Sequence, residues 1–187
     1  MITFDAAAHE YRSGGRRVTS VTQAISGAGL VDSRWFDDYS RDRGTAVHRA
    51  TELFDLEVLD EESLDPILLP YLDGYKMFIL ETGAAWDAIE RRVYSSTHHY
   101  AGTLDRLGFV NGRRTLVDLK TGGIYPTTAL QLAAYCHAAD EVCDRMAVQL
   151  NGDGKYSIHL YKIEDLTRDF GVFAAALTVA NWKENNK

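Results

Sequence analysis

Apolar and polar positions alternate along this chain with two periods, and the switches between them outline its elements. Residues 2–12 and the run Arg17-Val18-Thr19-Ser20-Val21 read as strands around Ser13-Gly14-Gly15-Arg16, a turn whose glycines supply positive φ angles. A helix is expected from Ser20 or Thr22 to Gly27-Ala28-Gly29, where glycine favours a helix end. From Gly44 to Leu56, the residues Ala46, Val47, Ala50, Leu53 and Phe54 recur at helical spacing, with Thr45 as the expected cap. A further helix is expected over about Asp65 to Thr82, with Pro66 in its first turn and Gly83 just beyond. Its expected buried side is Leu68, Leu69, Leu72, Tyr75, Met77, Phe78 and Ile79.

Three strands then follow closely, over Ala88 to Ser96, Gly102 to Val110 and Arg114 to Leu119, with Asn111-Gly112 as a two-residue hairpin turn. Thr127 to Ala139 reads as a helix, Arg145 to Leu150 and Tyr156 to Ile163 as a second hairpin, and Leu166 to Trp182 as a closing amphipathic helix. The order implies a mixed α/β core, a central mixed β-sheet flanked by helices, preceded by an N-terminal hairpin and helices. With 187 residues and no repeat or long linker, residues 1–187 read as one domain.

Composition narrows the picture a little. No apolar run has the length of a membrane span, and no secretion signal is visible, so membrane association is not expected. Two cysteines, Cys136 and Cys143, suit a reducing compartment and are too few for a zinc or iron–sulfur site; the expected location is cytoplasmic. The net charge of −7 speaks against a surface that clings everywhere to nucleic acid. Local tracks remain open through Arg12, Arg16 and Arg17, Arg91 and Arg92, and Arg113 and Arg114, which read equally well as solvated surface.

The chemistry concentrates in Gly102-Thr103-Leu104-Asp105, Asp118-Leu119-Lys120-Thr121-Gly122 and the pair Gln131 and Tyr135. Two acids with a lysine two positions past the second can hold a hard divalent cation, acidify a water and stabilise charge on a phosphate. Asp105 lies six residues before Asn111, and Asp118 six after Gly112, so the hairpin makes them cross-strand partners. Strand alternation sends Lys120 to the face of Asp118. Gln131 and Tyr135 are one helical turn apart and face the same way.

These motifs, with Gln131-Leu132-Ala133-Ala134-Tyr135 and an early helix bearing Gly44-Thr45-Ala46-Val47-His48, resemble the PD-(D/E)XK nuclease superfamily, over about residues 9 to 139. The likeness is greatest to the RecB-type exonuclease branch, which includes phage and mitochondrial single-chain exonucleases. The resemblance implies a restriction-endonuclease-like core and a DNA nuclease dependent on Mg²⁺ or Mn²⁺, an exonuclease in phage or bacterial recombination, repair or replication. It further implies Asp105, Asp118 and Lys120 as catalytic residues. Metal ligation would fall to His48, Asp105, Asp118 and the backbone carbonyl of Leu119. Gln131, Tyr135 and Thr121 would contact DNA, single- or double-stranded, and Glu90 resembles a further site acid whose role is less settled. With two cysteines, an iron–sulfur cluster is not expected; with no Walker loop, unwinding would fall to a helicase, with a recombinase or single-strand-binding protein as further candidate partners.

Plainer readings stand beside these. Glu90 has Arg91, Arg92 and Arg106 as ordinary ion-pair partners, and Glu52 reads as an exposed acid. Gln131 and Tyr135 also suit a polar rim and a core aromatic. His98 and His99 read as surface, and His9, His137 and His159 as structural. Trp35 and Phe36 read as core or lid residues rather than base-stacking ones. The alternative functions are a catalytically silent nucleic-acid-binding or assembly module on the same fold, and a structure-specific endonuclease or RNase.

Overall fold

The computed structural model describes residues 2–5, 8, 10–31 and 38–186. The readings for His9, Trp35 and Phe36 fall outside them. Three short strands open the chain: β1 (Ile2–Asp5), β2 (Glu10–Ser13) and β3 (Arg16–Ser20). The expected first strand is thus two, β1 and β2 pairing antiparallel. Gly14 and Gly15 both have positive φ in the β2–β3 turn, as the sequence demands. Helix α1 (Val21–Ala28) begins on a full capping box, Ser20 accepting from the Gln23 N–H while Gln23 accepts from that of Ser20, and ends on left-handed Gly29.

Helix α2 (Asp38–Asp55) starts a full turn and more before Gly44. Its first residues are polar, so no apolar period marks them. They are held instead by Arg43, which donates to the Thr121 carbonyl and stacks over the Tyr71 ring. Thr45 is therefore inside the helix, bonded back to the Arg41 carbonyl, and does not cap it. A single 3-10 turn at Pro66–Leu68, capped by Asp65, leads into α3 (Leu69–Thr82). Its buried side is Tyr71, Leu72, Gly74, Tyr75, Phe78 and Thr82, whereas Met77 is exposed. Leu68, Leu72, Tyr75 and Phe78 of the expected side are buried, Leu69 and Ile79 are half-buried, and Gly74 lies close against the Lys155 backbone.

Then come β4 (Ala85–Ser95), β5 (Tyr100–Val110), β6 (Arg113–Lys120), α4 (Thr127–Ala139), β7 (Asp144–Leu150), β8 (Tyr156–Tyr161) and α5 (Leu166–Asn185). The eight strands form a mixed sheet in the order β1-β2-β3-β5-β6-β7-β8, with β4 added to β5. Helices cover both faces. Leu104, Leu107 and Leu116 pack with residues of α1, α4 and α5, while Val117, Leu119 and Val148 pack with Val47 of α2 and Tyr75 and Phe78 of α3. The mixed α/β core expected from the sequence is the one observed.

One feature of the pairing places the site. Strand β4 runs along one edge of β5. The opposite edge is shared: β3 pairs with Tyr100 and Ala101, and β6 with Arg106 to Val110. Gly102 to Asp105 lie in the fork between those two partners. Beyond Asp118 the β6 strand is committed to β7, with which it pairs in parallel through Lys120. Ligands gather where neighbouring strands diverge in this way, because backbone and side-chain groups there are not consumed by the ladder.

Candidate functional site

The β5–β6 ladder runs from the Asn111-Gly112 turn to Arg106 opposite Val117, so Asp105 and Asp118 are the next residues along, where the two strands part. At the fork the backbone ladder stops and a side chain takes over, the Leu119 N–H donating to Asp105 Oδ2 at 2.7 Å. From the next strand, Glu90 stands opposite Asp105, and its φ of +46° is in the left-handed region. A side chain bearing a Cβ is held there at a cost of about 1–2 kcal/mol.

His48 comes from α2, on one side of the sheet. Its Nε2 lies 3.1 Å from the Leu119 carbonyl, which can only accept, so Nε2 carries the proton. That leaves Nδ1 facing Glu90 Oε1 at 3.6 Å and Asp105 Oδ2 at 3.7 Å. Ligand atoms of His48, Glu90 and Asp105 all lie within 4.8 Å of one another, a grouping able to hold a metal ion. A backbone carbonyl that fixes the imidazole tautomer is the usual support for a histidine ligand.

The other side of the sheet contributes through α4. Lys120 Nζ lies 2.7 Å from Asp118 Oδ2 and 3.3 Å from Gln131 Oε1. Gln131 Nε2 donates to Asp118 Oδ1 at 2.9 Å and to the Tyr135 hydroxyl at 3.4 Å. Tyr135 is buried, and its ring passes so close to Gly102 that a Cβ there would come within 2.5 Å of it. Only glycine leaves room for this helix to sit against the fork. Thr121 lies just past the end of β6, its carbonyl accepting from Arg43.

Charge in this space is unevenly balanced. Burial raises the carboxyl pKa of Asp105, and that of Asp118 to about 6, even though Lys120 and His48 pull both down. For His48, burial opposes the charged form, but Asp105 and then Glu90 overcome it and lift the imidazole to about 9. Burial likewise works against the Lys120 ammonium, yet Asp118 and Asp105 raise its pKa. The acids are thus buried carboxylates short of positive charge, and protonated His48 sits among them where a cation would.

Of the residues singled out from the sequence, His48, Asp105, Asp118, Lys120, Gln131 and Tyr135 all meet at the fork. Asp118 is engaged by Lys120 and Gln131 rather than joining the three converging donor atoms. The Leu119 carbonyl receives the His48 ring. Glu90, whose role the sequence left least settled, is one of the three converging donors. The sequence offered no sign of Arg106 as more than a surface partner, yet it is completely buried directly behind Glu90. His98 and His137, read as surface and structural, pack together with Phe170 on the outer side of α4, away from these groups.

His48, Glu90 and Asp105 open into a groove of about 750 Å³ whose walls include Phe4, Tyr11, Arg41, Arg49, Arg92, Thr103 and Tyr135. Of the basic doublets noted in the sequence, Arg91 and Arg92 alone supply a wall residue. Arg113 pairs with Asp144, and Arg114 with Glu141 and Asp87.

The fold resembles that of a solved structure described as a "putative exonuclease" from Eubacterium rectale, with a TM-score of 0.58 at 10% identity, covering 88% of this chain and 81% of that one. Two structures of an alkaline exonuclease, LHK-Exo from Laribacter hongkongensis, align with TM-scores of 0.42 and 0.41 at 13% and 14% identity; each covers 90% of this chain and 92% of that one, and the second contains dAMP. No family model matches the chain, and no curated protein does. No helix of the described residues is long and apolar enough to cross a membrane.

Proposed function

We propose that this protein is a divalent-metal-dependent DNA nuclease of the PD-(D/E)XK type, hydrolysing phosphodiester bonds as a RecB-like exonuclease in phage or bacterial recombination, repair or replication. The observation that carries the reading is the fork itself. It gathers an imidazole, the half-buried carboxylate of Glu90 and the buried carboxylate of Asp105 around one space, with buried Asp118 and the Lys120 ammonium group beside them. The description of the Eubacterium rectale structure supports the same class of activity.

The donors fit a hard cation. One imidazole nitrogen and two carboxylates converge, and buried Asp118, paired through Oδ2 with the Lys120 ammonium at 2.7 Å, lies next to them. Such a set suits Mn²⁺ or Mg²⁺ rather than a thiophilic metal. His48, Glu90 and Asp105 would hold the ion, with Asp118 and the second lone pair of the Leu119 carbonyl at hand. When bound, the ion supplies positive charge against the scissile phosphate and lowers the pKa of a water.

The remaining work belongs to side chains of the chain. Lys120, fixed between Asp118 and Gln131, donates toward the attacking water or the charge that builds on phosphorus. Gln131, Tyr135 and Thr121 position the DNA backbone from α4 and the β6 end. Arg41, Arg49 and Arg92 line the groove and draw in phosphates, so binding weakens as salt rises. With a net charge of −7 this attraction stays local, which suits delivery of DNA by a helicase, recombinase or single-strand-binding partner.

The test is digestion of linear DNA by purified protein with Mg²⁺ or Mn²⁺. Activity is expected to vanish in Asp118→Ala and Lys120→Ala proteins that keep the wild-type circular dichroism spectrum. Undiminished digestion in excess EDTA would refute the metal-dependent chemistry. End-blocked and circular substrates separate an exonuclease from an endonuclease.

A further inference from the structure

Arg106 is the most heavily engaged side chain near the fork. Its guanidinium is wholly buried. Nε donates to Asp55 Oδ2 at 2.6 Å and to the Tyr75 hydroxyl at 3.2 Å. Nη1 donates to Glu90 Oε1 at 3.1 Å and to the carbonyl of Asp105 at 2.8 Å, and Nη2 donates to Thr51 Oγ1 at 3.1 Å. Every nitrogen is used, and the partners come from α2, α3, β4 and the site strand itself.

Two geometric facts give this cluster a meaning beyond packing. Thr51 and Asp55 lie three and seven residues after His48, on the same face of α2, so the guanidinium grips the helix that delivers the imidazole. The same group also bonds the Glu90 oxygen that faces His48 Nδ1, on a residue whose backbone is held in the left-handed region. A planar five-donor fork can satisfy such a set, whereas a lysine cannot.

We propose that Arg106 is the positioning residue of the cation site, holding Glu90 in its strained conformation against His48 and Asp105 and docking the His48 helix onto β5. The proposal rests on the metal-site reading above. It assigns Arg106 no contact with substrate or metal; it acts through Glu90. Asp55 balances its charge, and Tyr75, which donates to Asp55 at 2.6 Å and accepts from Trp86 Nε1 at 2.9 Å, closes the network on the far side.

The experiment is a thermodynamic cycle on Mn²⁺ affinity, measured by titration calorimetry, with unfolding temperature recorded for each metal-free protein. Asp55→Asn and Arg106→Met are made together, so that one negative and one positive charge leave and the site's net charge is unchanged. This pair is expected to weaken Mn²⁺ binding about ten-fold or more, as loss of a supporting shell does. Glu90→Gln is expected to weaken it by at least as much, and all three substitutions together no further than Glu90→Gln alone. Should the Arg106→Met pair unfold, Arg106→Lys carries the same cycle. Multiplying losses, or unchanged affinity in a folded Arg106 variant, would overturn the positioning role while leaving the metal site standing. A wild-type protein that binds no Mn²⁺ would overturn the metal reading and this proposal with it.

Discussion

Asp105→Asn isolates the charge of one donor while preserving its shape. The amide oxygen still accepts from the Leu119 N–H, so the link that closes the β5–β6 fork is kept. What is lost is one of the acids that burial holds short of positive charge. Without metal, therefore, the variant is expected to be as stable as the parent or more so, since a desolvated carboxylate has been removed from beside Glu90 and Asp118. With metal the sign reverses. At a Mn²⁺ concentration one hundred times the dissociation constant, binding stabilises the parent by about 2.7 kcal/mol. For a chain of this size that is roughly 5–10 °C in unfolding temperature. Losing a ligand lowers affinity at least as much as losing a supporting residue, about 100-fold. At the same Mn²⁺ concentration the variant would then gain only about 0.4 kcal/mol, on the order of 1 °C. Differential scanning calorimetry with and without Mn²⁺ reads both numbers. An equal metal-dependent shift in both proteins would refute the assignment of Asp105 as a donor.

Further expectations concern pH, packing and the core. Metal binding requires neutral His48, whose pKa stands at about 9, and draws on the nearby charge of Asp118, present above its pKa of about 6. Mg²⁺ affinity should therefore rise about ten-fold per pH unit between those values, fall more steeply below 6 and level off above 9; calorimetric affinity independent of pH would contradict this. Gly102→Ala places a methyl group against the Tyr135 ring and should cost about 1–3 kcal/mol by thermal denaturation, while Gly122→Ala, which meets nothing, serves as the neutral control. Asp169→Ala strands the buried guanidinium of Arg145, otherwise 2.9 Å from Asp169 Oδ2, and should cost about 3–5 kcal/mol by denaturant unfolding.

What the sequence revealed and what it hid follow from the range of the forces involved. The register that brings Asp105 and Asp118 to the end of the β5–β6 ladder was legible because a two-residue turn fixes it, and both Asn111 and Gly112 adopt the positive φ that such a turn needs. The start of α1 beside Ser20 and the bounds of α4 were legible for the same reason, being local. Glu90 was harder. Its place opposite Asp105 depends on a register shift between Trp86 and Ala88 and on a left-handed residue inside a strand, neither of which has a sequence signature here. Arg106 was hidden by its own chemistry, since an arginine in a strand reads as exposed, and its partners lie 51 residues away at Asp55 and 31 away at Tyr75. The early turns of α2 escaped because Arg43 anchors them through contacts that leave no apolar period.

A crystal of the wild-type protein soaked in Mn²⁺ tests the central claim most directly. Anomalous density is expected among His48 Nδ1, Glu90 and Asp105, with the peak gone in Asp105→Asn crystals soaked alike. A peak elsewhere, or none at the fork while DNA is still cleaved, would contradict it.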